Sequence, residues 1–402
     1  MGDGKRSRRQ WVGLWIAAGL VTAASGCSDE PTALNSVGTQ LLRTRVVVKD
    51  TTLGATVTSS FRQPVSMDGN VDLLGRSGNH VAYALVQFTS SLLPHRDTVN
   101  VLSAELIFRA VTWFGDSTAT FGFTVHKITE GWNEASFQWD SLSLKPNFYE
   151  SASRGTFSGV VQSDTQTITV PIDTGMVREW LQPRTITQYG VILIPTAGTN
   201  VVRGLNAFYF NTEPDSIKYY PTLRVIARGI NTSTPDTSTY IYGFDTFVGN
   251  VTSLTNDPEL MYLQAGVAYR SRIQFDLTSI PKGAIINEAQ LTLVENSAAN
   301  KLTKFSGEKT IAGHLLVSAT DTTRFESFGE LGKISSANIY TMKIRHAAQG
   351  WVRGTAFNHG LLLRNISSNE FSSFDLYTFY NQTAVDSTRR PRLKIIYTMA
   401  KN

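Results

Sequence analysis

The chain has 402 residues, of which 41% are hydrophobic and 17% charged, and its formal net charge is +5. This length is more than one hydrophobic core usually organises, so two domains are predicted. Residues 1–26 carry four basic side chains and one acid, so without them the net charge falls by three to +2 and no block of like charge remains. The charge pattern therefore predicts no nucleic acid partner.

The N-terminal segment has the pattern of a secretory signal. Basic residues within 5–9 precede about 14 apolar residues, fewer than the roughly 20 of a membrane span. Ala24-Ser25-Gly26-Cys27 resembles the lipobox of bacterial lipoproteins, with Ala24 where Leu is usual. We therefore predict a signal peptide over 1–26, lipidation of Cys27 and a polar tether over 27–44. The alternative is an ordinary signal peptide beside an incidental cysteine. By the same resemblance, Ser28 favours export to the outer membrane.

Short segments rich in β-branched and aromatic residues dominate the rest of the chain. They include residues 45–48, 167–170, 190–194 and 393–397, most of them bounded by Gly, Asn, Asp, Ser or Pro. Such segments predict β-strands. Helical periodicity is confined to residues 174–181 and 345–352, which predict about two turns each.

Four sequence blocks recur in the same order. They pair residues 84–94 with 271–281, 102–110 with 287–295, 176–194 with 347–364, and 208–227 with 378–397. We interpret this as a tandem duplication of whole domains. The predicted domains span 45–228 and 240–398, joined by a polar linker over 229–239. Each is predicted to be an antiparallel β-sandwich that is jelly-roll-like, with another Greek-key topology as the alternative.

The repeated blocks resemble the DNRLRE domain, a family related to carbohydrate-binding module family 96. The resemblance rests on "FDTFVGN" (244–250), "IQFDLTSIPKGAIINEAQLTL" (273–293) and "ITEGWNEASFQW" (128–139). It implies a jelly-roll fold and extracellular polysaccharide binding. Where the Trp-rich stretch of the first copy lies, the second has "ATDTTRFESFG" (319–329), so the copies are not equivalent if that stretch binds sugar.

No enzyme motif is found, and the six histidines are scattered without metal-ligand spacing. We therefore predict a non-enzymatic protein. Exposed aromatic rings next to polar side chains suit a sugar, and the predicted glycan-binding residues are Trp113, Trp132, Tyr189, Arg109 and Arg178. The competing interpretation is that the tryptophans fill the core, which we favour for Trp180 and Trp351, for Trp132 and for Trp139.

Asp68, Asn70 and Asp72 stand at alternating positions and could supply oxygen ligands to a structural calcium ion. The same string is also an ordinary Asp-Gly turn, and no other cofactor is predicted. The sequence thus predicts a surface or periplasm-facing lipoprotein with non-catalytic, polysaccharide-binding modules. The alternative is a structural or adhesion lipoprotein with protein partners and no sugar site.

Overall fold

The structure, a computed structural model, describes residues 46–67, 69–88, 99–163, 165–181, 188–207, 220–241, 243–252, 257–303 and 309–400, without the side chains of 327 and 328. Residues 50–397 form one compact unit, and the described residues of 46–49 and 398–400 belong to a second, small one.

The described residues form 21 strands, four short α-helices and a 3₁₀ helix at Ser387–Arg389. The first twelve strands are β1 (Val46–Arg62), β2 (Val71–Ser77), β3 (His80–Gln87), β4 (Val99–Gly115), β5 (Phe121–Ile128), β6 (Tyr149–Gly159), β7 (Thr167–Pro171), β8 (Val191–Pro195), β9 (Val201–Asn206), β10 (Thr222–Gly229), β11 (Asp236–Ile241) and β12 (Phe244–Val251). The others are β13 (Leu260–Gln264), β14 (Tyr269–Phe275), β15 (Ile285–Val294), β16 (Thr310–Leu316), β17 (Phe325–Ser336), β18 (Ile339–Lys343), β19 (Leu361–Asn365), β20 (Leu376–Tyr380) and β21 (Arg392–Ala400). The helices are α1 (Trp139–Leu144), α2 (Thr174–Leu181), α3 (Arg345–Arg353) and α4 (Ser367–Glu370).

The fold is all-β, as the sequence predicted, and its strands form two antiparallel sheets. The first sheet contains β2–β12, with the order β11-β10-β4-β9-β2-β3-β8-β5-β6, and β7 and β12 pair with β4 and β3. The second sheet contains β1 and β13–β21, with the order β1-β21-β15-β18-β17-β16-β19-β14-β13-β20, and β1 also pairs with β14. The four strands predicted as examples and both predicted helices are present, and α1 and α4 are short additional helices.

The main core of the first sheet follows strand alternation. Along β4, Ala104, Leu106, Phe108 and Ala110 are buried, while the residues between them are half-buried. A period of two places alternate side chains on opposite faces of a strand. The buried set packs with residues of β3, β5, β8 and α2, so α2 closes one side of this core.

The opening strands of the two sequence repeats are exchanged between the sheets. Residues 55–62 of β1 pair with β14 in the second sheet, although β1 opens the first predicted domain. Conversely, β11 pairs with β10 and β12 pairs with β3, so the segment that opens the second repeat completes the first sheet. Residues 236–239 of the predicted linker lie within β11.

Positions aligned by the sequence repeat make the same contacts in both sheets. Gln87 Nε2 donates to the carbonyl oxygen of Gln188 at 3.1 Å, and Gln274 Nε2 donates to that of Asn358 at 2.7 Å. Two residues later, Gly190 and Gly360 have φ values of +82° and +89°. A Cβ on Gly190 would overlap the backbone of Val86, so this turn requires glycine.

Candidate functional site

The connection between β5 and β6, residues 129–148, covers the outer face of the first sheet. Ala84 and Val86 of β3 point into the main core, whereas Leu85 between them packs beneath this connection. Ile192 of β8 and Val248 of β12 join Leu85 there, together with other buried residues that include Phe137 and Phe148 of the connection. The Trp-rich stretch is therefore a folded cover over a small hydrophobic cluster.

Five half-buried aromatic side chains surround this cluster, and we call them the aromatic patch. They are Tyr83, Trp132, Trp139, Tyr149 and Tyr189. Trp132 Nε1 donates to the carbonyl oxygen of Tyr189 at 2.9 Å, which holds the two residues together. The Trp139 and Tyr83 rings lie 5.1 Å apart between centroids. Because these rings are only partly covered, part of their apolar surface faces solvent.

Charged groups border the aromatic patch. Lys145 Nζ donates to Glu130 at 2.9 Å and to the carbonyl oxygen of Gly131 at 3.3 Å. Arg62, at the end of the exchanged strand β1, lies 3.7 Å from Asp140 of α1. Burial, and to a smaller extent the neighbouring Tyr149, raise the pKa of Tyr83, so its hydroxyl remains a hydrogen-bond donor at neutral pH. The patch thus combines apolar ring surfaces with polar groups able to bind hydroxyls.

Trp132 and Tyr189 are the two predicted glycan-binding residues that the structure brings together. Trp113 packs against the main core, and its ring lies 5.5 Å from the guanidinium carbon of buried Arg203. Arg109 stands between Phe108 and Ala110, whose side chains enter that core, so it faces the other side of β4.

Arg178 is exposed on α2. Trp180 on α2 and Trp351 on α3 are buried at 5% and 8% exposure, which confirms their prediction as core residues.

The structure describes two of the three predicted calcium ligands, and these two differ in burial. Asp68 lies outside the described residues, Asn70 is exposed, and Asp72 is buried on β2 at 2% exposure. The carbonyl oxygen of Asn70 accepts a hydrogen bond from Ala207 at 3.1 Å. Within the described residues, no three His, Cys, Asp or Glu side chains are grouped as metal ligands. Cys27 also lies outside the described residues.

A cleft in the second sheet was not anticipated from the sequence. It has a volume of about 420 Å³ and opens between β16, β17 and α3. Leu315, Ile344 and Ala347 contribute to its apolar lining, and Glu326, Glu330 and His346 are its charged or titratable residues. An adjoining depression of about 500 Å³ shares Glu330 and His346 and adds Asn287, Glu288, Lys343 and Arg345. These volumes fall in the range of small-molecule sites, roughly 300–1,000 Å³.

Neither family models nor curated protein sequences provide a match to this chain. Among the residues that the structure describes, no helix has the length and apolarity needed to cross a membrane.

Proposed function

We propose that this protein is an exported bacterial lipoprotein that binds polysaccharide through non-catalytic, DNRLRE-like modules. The observation that carries this proposal is the aromatic patch, where Trp132 and Tyr189 are joined by a hydrogen bond and remain half-buried. Sugar rings expose apolar C–H faces that pack on such rings. Their hydroxyls can bind the Tyr83 hydroxyl and the Lys145–Glu130 pair at the edge of the patch.

The strand order supports the finer proposal that each sheet folds over on itself into the two layers of a jelly-roll sandwich. In the first sheet the two runs are β11-β10-β4-β7 and β3-β8-β5-β6. In the second sheet the runs β1-β21-β15-β18 and β14-β19-β16-β17 have the same order once the repeat is aligned. Eight strands in two such four-stranded layers, linked by Greek-key connections, are typical of a jelly roll. A jelly roll is an established carrier of sugar-binding sites, as in lectin domains.

The proposed location is the bacterial cell envelope, with the outer membrane as the membrane partner. Its support is the basic, apolar and small-residue pattern that ends at Cys27. Mass spectrometry of the mature N-terminus tests it, with a diacylated or triacylated Cys27 as the expected result. An unmodified chain beginning at another residue would overturn the anchor.

Sugar binding can be tested by affinity electrophoresis of the mature protein in gels containing soluble polysaccharides. We expect Trp132→Ala to weaken retention several-fold to about tenfold, because an aromatic contact contributes about 0.5–1.5 kcal/mol beyond burial. Trp132→Phe should retain most of the binding, since a ring remains in place. Phe357→Ala is the matched control, because Phe357 is 83% exposed and lies outside the aromatic patch. Thermal unfolding of each variant separates lost binding from lost structure.

A protein that no polysaccharide retards would contradict this function. That result would favour the structural or adhesion lipoprotein, whose support is the exchange of β1 and β11–β12 between the two sheets. Strands shared in this way join residues 50–397 into one compact unit, which suits an assembly protein. Trapping of protein partners by cross-linking on the cell surface would then be the deciding measurement.

A further inference from the structure

The cleft of the second sheet has a counterpart in the first sheet that can be located residue by residue. His126 Nδ1 donates to the carbonyl oxygen of Glu150 at 2.9 Å, and His314 Nδ1 donates to that of Glu326 at 2.9 Å. His126 and His314 are therefore equivalent, and so are Glu150 and Glu326.

The neighbouring residues follow from the strand register. Lys127 pairs with Val191, which follows Gly190. Leu315 pairs with Leu361, which follows the equivalent Gly360. Lys127 and Leu315 therefore occupy the same position in the two sheets.

In the first sheet, ion pairs bridge this region. Lys127 Nζ lies 2.5 Å from Glu179 of α2 and 3.7 Å from Glu150. Arg154 contacts Glu150 at 2.5 Å and lies 3.7 Å from Asp173, just before α2. An ammonium and a guanidinium thus pair with three carboxylates and tie α2 to β5 and β6.

The second sheet has lost both cations and keeps one of the three acids, because Glu326 stands at the position of Glu150. Leu315 replaces Lys127, and the repeat alignment places Gly350 at Glu179 and Ala347 at buried Met176. Glu330 pairs with Gly313 as Gly155 pairs with Val125, and it lines the same cleft as Glu326, which therefore contains a second carboxylate. No ion pair joins either carboxylate to another residue within the described part of the chain.

We propose that this cleft binds the ammonium group of an amino sugar between Glu326 and Glu330. The first sheet shows the chemistry, because Lys127 places an ammonium beside the equivalent Glu150. The sugar ring would pack on Leu315 and Ala347, and its hydroxyls would reach Lys343 in the adjoining depression. That the amine belongs to a sugar rests on the proposed polysaccharide-binding function. That the cleft binds an ammonium group rests only on the comparison of the two sheets.

The test is calorimetric titration of the full mature protein in detergent with glucosamine oligomers and with N-acetylglucosamine oligomers of the same length. We expect the free amine to bind at least about tenfold more tightly, as a charge-assisted hydrogen bond allows. Glu330→Gln should weaken binding of the glucosamine oligomer by about tenfold, for the same reason.

Leu315→Lys supplies the missing ammonium from the protein itself and should abolish binding of the glucosamine oligomer. The thermal midpoint should stay unchanged or rise, since the new lysine can pair with Glu326. Leu331→Lys is the matched control, because Leu331 is 52% exposed on the same strand as Glu326 and does not line the cleft.

Equal binding of the two oligomers, or undiminished binding by Leu315→Lys, would overturn the inference. If polysaccharide retention still depends on Trp132 in that case, the proposed function survives without the cleft. If instead Leu315→Lys abolishes amine binding while Trp132→Ala leaves retention unchanged, the cleft stands and the aromatic patch is not the sugar site.

Discussion

A disulfide between positions 60 and 271 would test the strand exchange directly. Ser60 of β1 stands opposite Ser271 of β14, with their hydroxyl oxygens 2.8 Å apart. Directly opposed residues of antiparallel strands have Cα separations of about 4.5–5.5 Å, which suit a disulfide. With Ser60→Cys and Ser271→Cys in a chain that begins at Ser28, no other thiol is present, because Cys27 is the only cysteine. We expect rapid formation of an intramolecular bond.

Two opposing terms set the expected change in stability. The Ser60 hydroxyl accepts from the Tyr262 amide at 2.9 Å, and the Ser271 hydroxyl donates to the Tyr262 carbonyl at 2.9 Å. Losing these bonds should make the reduced variant about 1–3 kcal/mol less stable than the wild type. The positions are 211 residues apart, so the oxidised form should regain up to about 5 kcal/mol in the chain-entropy model. Strain commonly reduces such a gain.

The assay is non-reducing electrophoresis followed by urea unfolding of the oxidised and reduced forms. The matched control is Ser60→Cys with Ala84→Cys, because Ala84 of β3 is the repeat equivalent of Ser271 and pairs instead with Phe247. Efficient cross-linking of 60 to 84 and none of 60 to 271 would refute the exchange. Cross-linked dimers through 60 and 271 would show that β1 is exchanged between molecules rather than within one.

Two further predictions concern buried charges of the second sheet. Glu370 is fully buried and forms a bidentate ion pair with Arg270 at 2.8 and 2.9 Å, as well as an ion pair with Arg364. Glu370→Gln leaves those buried guanidinium groups without their counter-charge, so it should lower the free energy of unfolding by roughly 3–5 kcal/mol in urea titrations. Asp386→Asn breaks an exposed pair with Arg389 and should change the free energy of unfolding far less, because solvent screens that pair. Similar losses in both variants would contradict this account. Burial raises the pKa of Asp375 to about 6, above its ordinary 3.8, so the folded state holds its proton more tightly than the unfolded state does. Stability should therefore fall by about 3 kcal/mol as pH rises from about 4 to above 6, and Asp375→Asn should remove that dependence in thermal unfolding measured across pH. A slope that survives in Asp375→Asn would assign it to another group.

Much of the secondary structure could be predicted because its causes are local. Alternating β-branched residues in 167–170 and 393–397 form strands whichever sheet they join. The repeat also predicted the burial of Trp180 and Trp351, since an apolar side chain that recurs at one place in two copies fills a core. The short helix α1 has no such periodic signal, because it is a single turn or so held by the hydrophobic cluster beneath residues 129–148.

The candidate sites depended on distances that the sequence does not contain. Trp132 and Tyr189 are 57 positions apart, and the hydrogen bond that joins them could be inferred from neither neighbourhood. The cleft left a weak signal, namely Leu315 aligned with Lys127, but its meaning required the ion pairs that Lys127 makes. The replacement of Lys127 by Leu315 is informative only once the structure shows which carboxylates Lys127 contacts.

The sequence by itself determined that the chain forms antiparallel strands in two related sets and that Trp180 and Trp351 enter the core, because those properties follow from side-chain periodicity and from the repeat. Trp132 and Trp139, for which the sequence also favoured a core position, are only half-buried. The tertiary structure alone decided which sheet each opening strand completes. β3 and β14 are repeat equivalents with similar patterns, so β1 could pair with either by pattern alone, and in the structure it pairs with β14 while β12 pairs with β3. The same structure decided where the ion pairs form: Lys127 pairs with Glu150 in the first sheet, whereas in the described part of the second sheet Leu315 stands at that position and Glu326 lines a cleft.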